Sequence, residues 1–468
     1  MNKNKIGRIV LSFIFLIILN QSGRAQVFDT SYARVLQNAV NALKVNYNLV
    51  GISAAVYVPG QGTWKGAAGI SEAGVDMTTD RVFGIGSITK NFTATIILQL
   101  AEADSLTLDD HLYQWLPHYD NVDSNITIRQ LLNHTSGIYN YTDNPAFLTA
   151  VNSNYNRHWL PEEVMPYVLT PNFPPGASWR YSNTNYLLLG MIITKIMRTS
   201  LSEQYHTRFF TPLGMTETTL ESQDTNRSPY AHNWVDINGD GIPDDIFFIP
   251  RTAHFSAANA AGEIISRPEN LLKWSRNLYK GALISPNSLN QMLTFVNASV
   301  SGANGYGLGT MRYNVNGKTC YGHGGNILGY SAAIMYYPVD SICIALDFNT
   351  SINTGAPAIS FMNTVLNNRP SAVQNISSEV PEKFNLHQNY PNPFNPETNI
   401  KFDITSQGEV KLVVYNSLGK EVQNLFTGKL APGSYSYKWN ASGFPSGVYF
   451  YKLVTGNSSF IKKMMLVK

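Results

Sequence analysis

The 468-residue sequence predicts two folded units of different class, an α+β unit that takes up most of the chain and a small all-β sandwich after it. Three observations lead there. The chain is longer than a usual single domain. Within its first 366 residues, a segment with helical character, Phe92 to Glu102, occurs together with strand-like segments at Lys318–Tyr321, Ser331–Tyr337 and Ser341–Asp347. Towards the end, Val410–Asn416 and Gly447–Leu453 alternate apolar with polar residues between Gly and Pro punctuation, the pattern of short strands in a sandwich.

Taken in order, residues 1–25 carry Lys3, Lys5 and Arg8, the apolar run Ile9 to Leu19, and small residues around Gly23-Arg-Ala25. This is the layout of a secretory signal. Its apolar core is shorter than the roughly 20 residues a spanning helix needs, and no later stretch approaches that length, so no transmembrane helix is expected after signal removal. The alternative is an uncleaved N-terminal anchor. Residues 26–366 form the α+β unit, the Ser/Pro/Asn-containing stretch 367–381 reads as a linker, and residues 382–468 form the sandwich. Hydrophobic residues make up 44% of the chain, enough for real cores, and a net charge of +3 that includes the leader's own cations gives no sign of a nucleic-acid binder. Cys320 and Cys343 are the only cysteines. If the three late strands form a meander, the two cysteines lie on its outer strands, about 10 Å apart at ~4.8 Å per step, beyond the reach of a disulfide. Two buried free thiols are expected.

Three short peptides bear chemistry: Ser87-Ile-Thr-Lys90, Tyr181-Ser-Asn183 and His323-Gly-Gly325. Ser-x-x-Lys recurs at Ser417–Lys420 and Ser459–Lys462, and Tyr-x-Asn at Tyr119–Asn121 and Tyr390–Asn392, so spacing alone decides nothing. Only the first Ser-x-x-Lys lies between a Gly-rich approach, Phe83-Gly-Ile-Gly-Ser87, and a helical segment, which puts the serine where a helix begins. Three residues along a helix is one face, so Lys90 points its amine at Ser87. A serine hydroxyl is a weak nucleophile until a base takes its proton, and a lysine near its usual pKa of about 10.4 cannot be that base unless burial or a nearby cation lowers it. Tyr181 is positioned to share the proton with Ser87, Lys90 and the leaving group, and Asn183 to orient lysine and substrate. Gly324 and Gly325 are expected to let a substrate backbone lie close along a strand edge. The amides of Ser87 and Asn326 would form the oxyanion hole.

At these residues the chain resembles the serine β-lactamase and D-alanyl-D-alanine carboxypeptidase family, in its class C-like branch. Leu131–Ile138, Phe173–Asn183, Thr211–Met215, Tyr306–Gly309 and Gly322–Tyr330 are similar to that family's recurring segments, in its order, over roughly residues 30–365. The resemblance implies an antiparallel sheet packed between helices, with a helical subdomain. It also implies Ser87 as the acylated nucleophile, Lys90 and Tyr181 as general base and acid, Asn183 as a substrate-positioning amide, and His323 as partner for a substrate carboxylate. One departure matters: His-Gly-Gly stands where many members have Lys-Thr-Gly or Lys-Ser-Gly. Histidine is mostly neutral at pH 7, so carboxylate recognition is weakened or pH-dependent. The segment from about residue 381, with Gln388-Asn-Tyr-Pro-Asn-Pro-Phe-Asn-Pro396 as its most specific part, resembles the C-terminal sorting domain read by the type IX secretion system. That implies passage through the periplasm and across the outer membrane, with release or attachment at the cell surface.

Asp236-Ile-Asn-Gly-Asp-Gly-Ile-Pro-Asp-Asp245 has oxygen ligands at alternate positions, as short extracellular calcium loops do. Asp236, Asn238 and Asp240 would supply side chains, Ile242 a carbonyl, and Asp244 or Asp245 the closing ligand of a structural Ca2+. The other reading is an Asx-rich hairpin turn. No cofactor is required for catalysis. His134 is expected to hold a turn, Tyr306–Gly309 to form one, and Glu263 and His254 have no assignment. Three functions stay open: a D-alanyl-D-alanine carboxypeptidase or penicillin-binding hydrolase of D-amino-acid peptides, a β-lactamase or carboxylesterase on the same scaffold, and a non-hydrolytic surface binding module.

Overall fold

The computed structural model describes residues 28–225, 228–369, 373–441, 444–456 and 458–468. The secretory signal read at residues 1–25 lies outside them. An eight-stranded antiparallel sheet organises the larger unit. Its strands are β1 (Gly51–Val58), β2 (Gly62–Glu72), β3 (Val75–Asp76), β4 (Gly305–Tyr306), β5 (Met311–Val315), β6 (Lys318–Ile327), β7 (Tyr330–Tyr337) and β8 (Ile342–Phe348). Their spatial order is β3-β2-β1-β8-β7-β6-β5-β4, so the meander β6–β7–β8 is continued by β1 from the far end of the unit. Ile52 lies opposite Phe348 and Tyr57 opposite Cys343.

Both faces of this sheet are covered, which accounts for the near-continuous burial of β1, β7 and β8. On one face lie α1 (Thr30–Asn46) and α7 (Gly355–Asn368). In α1, Leu36, Val40 and Leu43 make a buried stripe at helical spacing, and Asp29 caps the N-terminus by accepting from the Tyr32 amide at 2.7 Å. That stripe shares one core with Phe361, Val365, Val56, Met335 and Leu346. The opposite face belongs to a larger core that takes in α2 (Thr89–Glu102), α4 (Asn183–Met197) and α6 (Pro268–Tyr279), together with the helical subdomain that includes α3 (Pro145–Ser153) and α5 (Thr252–Ala258). Phe92 of α2 stacks on Trp274 of α6 with ring centroids 3.6 Å apart. The α+β class and the helical subdomain are therefore as expected. Cys320 and Cys343 are free and buried, in the cores on opposite faces of the sheet, which excludes a bridge more firmly than strand spacing does.

The C-terminal unit is a sandwich of two four-stranded antiparallel sheets. One has the order Val373–Ser377, Gly433–Asn440, Glu397–Ile404, Asn385–Leu386, and the other Glu421–Leu430, Gly408–Asn416, Gly447–Thr455, Ser458–Leu466. Alternation in Glu397–Ile404 sends Ile400, Phe402 and Ile404 into a core shared with Leu412, Val414, Tyr451 and Leu453. The linker boundary needs correction. Val373–Ser377, inside the stretch read as linker, is a strand that pairs with Gly433–Asn440, and Val373 is buried in the sandwich core. The polar residues of this segment resemble a linker because an outer strand buries little of itself.

Candidate active site

Ser87 owes its position to a strand-to-helix turn. Phe83 and Gly84 pair with Ser266 and Ile265, and the Ile85 amide donates to the Ile264 carbonyl at 3.0 Å. A 3-10 turn at Gly86–Ile88 then leads directly into α2. Gly86 has φ +50°, a left-handed conformation that favours glycine, and a Cβ there would sit 2.6 Å from the Asn326 amide nitrogen. The turn is thus pressed against β6.

Lys90, one helical turn on, is completely buried, and its Nζ lies 3.0 Å from Ser87 Oγ, 2.7 Å from Asn183 Oδ1 and 2.7 Å from the Ala261 carbonyl oxygen. Burial holds its amine well below the usual lysine range. A neutral amine has two N–H groups and one lone pair. With Asn183 Oδ1 and the Ala261 carbonyl accepting those two hydrogens, the lone pair is left for the Ser87 hydroxyl.

Tyr181 lies beside this pair, its ring centroid 4.9 Å from Lys90 Nζ. Its hydroxyl is buried without a hydrogen-bond partner of standard geometry. Burial pushes the phenol above its usual range, and the Ser87 hydroxyl opposes that rise. Asn183 begins α4, and it is held by its amide donating to Asn140 Oδ1 at 2.9 Å and its side-chain nitrogen donating to Thr142 Oγ1 at 3.0 Å. His134, at φ +63°, accepts from the Ser182 amide on Nδ1 at 3.2 Å and packs its ring 4.3 Å from that of Tyr181. It holds by hydrogen bond and ring contact the extended Tyr181–Ser182 stretch that leads into α4.

The third motif differs from expectation in two respects. His323 is fully buried rather than open to the cleft, with Nε2 paired to the Tyr306 hydroxyl at 2.9 Å and Nδ1 2.6 Å from the Gly324 carbonyl oxygen. Burial drives its pKa down to about 3, so the ring is neutral. It offers a substrate carboxylate no charge. Gly325 serves the protein's own backbone: a Cβ there would lie 2.0 Å from the Ile85 carbonyl oxygen and 2.8 Å from the Ser87 nitrogen. At Gly324 the nearest atom is Thr354 Oγ1, 2.5 Å from such a Cβ. The Asn326 side chain is tied to Ser331 Oγ at 2.6 Å and to the Ile352 carbonyl at 2.7 Å.

A cavity of about 320 Å³ opens beside Ser87, with Asn183 and Asn326 also in its lining. His254 lines it too, a residue the motifs did not single out. Thr142 and the Ala261 carbonyl, which fix Asn183 and Lys90, were likewise missed. A backbone carbonyl leaves no trace in residue identity, but the family-like Tyr306–Gly309 segment was an available signal for Tyr306. Glu263 is buried behind the site, accepting from the Ser222 amide at 3.1 Å, the Ser222 hydroxyl and Gln223 Nε2 at 3.2 Å, and burial raises its pKa to about 7.

In the Asp236–Asp245 loop the oxygens are turned onto neighbouring donors. Asp236 accepts from the Gly239 and Gly241 amides, Asn238 from Asp240, Asp240 from Ile242, and Asp244 from Ile237, while Asp245 pairs with His232 at 2.8 Å. Among the described residues no three His, Cys, Asp or Glu side chains form a group able to hold a metal. As arranged, the loop is a series of Asx turns rather than a converged ligand set.

Comparison with known proteins agrees with this geometry. Residues 35–362 match the Beta-lactamase family model, and residues 388–468 match the model for the Secretion system C-terminal sorting domain. Penicillin-binding protein 4* of Bacillus subtilis (strain 168) is 29% identical over 276 residues, covering 56% of this chain and 59% of its own length. Penicillin-binding protein 4 of Amycolatopsis lactamdurans is 26% identical, covering 68% of this chain and 85% of its own. Among solved structures, a D-stereospecific amidohydrolase from Streptomyces sp. is 34% identical with TM-score 0.61, over 68% of this chain and 94% of that one. D-amino acid amidase from Ochrobactrum anthropi SV3 is 25% identical with TM-score 0.65, over 73% and 100%. With its serine at a helix entrance, a buried lysine one turn later and a tyrosine over both, the chain belongs to the serine beta-lactamase family and ends in a secretion-system sorting domain.

Proposed function

We propose that the protein is an exported serine hydrolase that forms an acyl-enzyme at Ser87 on D-amino-acid peptides or related D-amino-acid derivatives, an activity of the D-alanyl-D-alanine carboxypeptidase type. The observation that carries this is the environment of Lys90: a fully buried amine 3.0 Å from Ser87 Oγ, with Asn183 Oδ1 and the Ala261 carbonyl as its other two partners. Lys90 takes the hydroxyl proton while Ser87 Oγ bonds to the substrate carbonyl carbon. The amides of Ser87 and Asn326 receive the developing oxyanion. As the tetrahedral species collapses, the bond to the leaving nitrogen or oxygen breaks, and Tyr181 delivers the proton passed on from Lys90. Water, deprotonated by the same groups, then releases the acid and restores Ser87.

A second reading is favoured by one specific observation. The neutral, buried His323 cannot act as the cation that a free carboxylate on the leaving side would require. Amides and esters with an uncharged leaving side, the carboxylesterase alternative included, need no such cation. The secretory signal at residues 1–25 and the sorting domain together support delivery to the cell surface or beyond, through the type IX machinery.

Intact-protein mass spectrometry of the protein mixed with penicillin, a chromogenic cephalosporin or a short activated ester tests both readings. A persistent penicillin adduct absent in Ser87→Ala supports the carboxypeptidase type, and rapid cephalosporin turnover a β-lactamase. Ester turnover without any β-lactam adduct supports the neutral-substrate reading. No Ser87-dependent reaction at all would sink the enzyme and leave a binding module.

A further inference from the structure

We propose that the cavity beside Ser87 is an acyl-side-chain subsite for one uncharged, apolar side chain, and that Leu328 at the β6–β7 turn is its specificity-determining residue. This rests on the acyl-enzyme reading above and goes on to name the acyl group.

The cavity's polar lining includes the chemistry already described: Ser87, Asn183 and Thr142. Its apolar lining comes from three separate elements. Phe147, Leu148 and Val151 come from α3, Ala257 and Ala258 from α5, and Ile327 and Leu328 from the tip of the β6–β7 hairpin. None of the lining residues is Lys, Arg, Asp or Glu. The one imidazole among them, His254, is stacked on Tyr155 at 5.8 Å, and its Nδ1 has no partner. At about 320 Å³ the space is at the small end of ligand pockets, about right for a single residue rather than a long peptide.

Leu328 supplies the independent observation. Ile327 pairs with Tyr330, so Leu328 and Gly329 form a two-residue hairpin turn, with φ +40° and +81°. Positive φ at both central residues is the I′ pattern, which strongly favours Asn-Gly or Asp-Gly. A leucine in the left-handed region is disfavoured, because its Cβ crowds the backbone. The conformation is held from outside, because the Leu328 carbonyl accepts from Asn233 Nδ2 at 2.7 Å. Leu148, on α3 and 45% exposed, lines the same cavity. An apolar side chain that its own turn disfavours and a half-exposed leucine therefore face one cavity, the cavity that holds the nucleophile.

Leu328 also touches a small core around Phe83, Phe255 and Tyr330, so the test has to separate packing from selection. The full-length protein, Leu328→Asn, Leu148→Asp and Ser87→Ala are assayed on 4-nitroanilides or 4-nitrophenyl esters of one leaving group. Their acyl groups are acetyl, D-alanyl, D-leucyl, D-phenylalanyl, D-glutamyl and D-lysyl. Wild type is expected to favour D-leucyl and D-phenylalanyl over D-alanyl by about tenfold or more in kcat/KM, and over the charged acyl groups by more. Leu328→Asn, which suits the turn better, is expected to keep or raise Tm and to remove most of that preference, read as the ratio of kcat/KM values for D-leucyl over D-alanyl within the variant. Leu148→Asp reads the same preference at an exposed position, where folding is not at stake. Equal loss on every substrate in both variants, or a wild type with no apolar preference, overturns the subsite while the acyl-enzyme stands. Equal acetyl turnover in wild type and Ser87→Ala overturns the acyl-enzyme, and the subsite with it.

Discussion

Gly325→Ala is expected to damage catalysis far more than Gly324→Ala, although the two glycines are neighbours in one motif. An added Cβ at Gly325 would lie 2.0 Å from the Ile85 carbonyl oxygen, and an ordinary carbon–oxygen contact is near ~3.3 Å, so backbone must yield by about 1.3 Å. The groups that must yield are the two that matter most, the turn presenting Ser87 and the strand presenting the Asn326 amide. A misplacement of ~1 Å at a reacting centre lowers rates on the order of 100-fold, and loss of one oxyanion donor gives 10²–10³ by a separate route. At Gly324 the obstacle is the Thr354 hydroxyl, a side-chain end that can rotate, and the double variant Gly324→Ala/Thr354→Ala removes even that. The assay is the pre-steady-state burst with an activated ester, read beside Tm and far-UV circular dichroism. Acylation is expected to fall about 100-fold in Gly325→Ala and only a few-fold in Gly324→Ala. A folded Gly325→Ala with a near-wild-type burst would refute the view that strand and serine turn are braced through this glycine.

Lys90→Ala should abolish the burst, and Tyr181→Phe should slow both acylation and deacylation by 10²–10⁴-fold. Because the Tyr181 hydroxyl makes no standard hydrogen bond, Tm should hardly change; a large loss of Tm with normal rates would contradict the assignment. Glu263 titrates near 7 when folded and near 4.5 when unfolded, so the native state binds more protons between those values and stability falls as pH rises through that window, by ~3 kcal/mol at most. Chemical denaturation from pH 4.5 to 8 should show a flatter profile in Glu263→Gln, and an identical slope would dismiss the linkage. We propose, from the sequence of the Asp236–Asp245 loop, that calcium displaces its amide contacts. Isothermal titration should then show uptake that Asp236→Asn lowers, whereas no heat and a chelator-insensitive Tm would leave a plain turn.

Much of the candidate site's geometry was legible because its parts are local in sequence. Ser87 and Lys90 are one helical turn apart, and the glycine at 86 announces the sharp entry before them. What stayed hidden depends on distant chain segments. The Ala261 carbonyl that orients Lys90 is far along the chain, and backbone atoms carry no residue signature. The environment of His323 was hidden for the same reason, since its complete burial and its pairing with the Tyr306 hydroxyl depend on distant residues that the His-Gly-Gly tripeptide does not encode. Gly325 was assigned to the substrate because the nearness of Ile85 is tertiary information. In the sandwich, alternation located the inner strands, whereas Val373–Ser377 is short, polar and defined only by its partner.

The strand order of the larger sheet sets a timetable for the living cell. β1 is made early, but its neighbour β8 runs to residue 348, so the middle of the sheet cannot close until most of the chain has been synthesised. Such long-range pairing folds slowly and leaves strand edges open in the meantime. The nucleophile is subject to the same delay, since the turn that presents Ser87 leans on residues 325 and 326. A nascent fragment therefore has its serine and lysine but not the strand they lean on, and the site is assembled only once nearly the whole larger unit is present and folded.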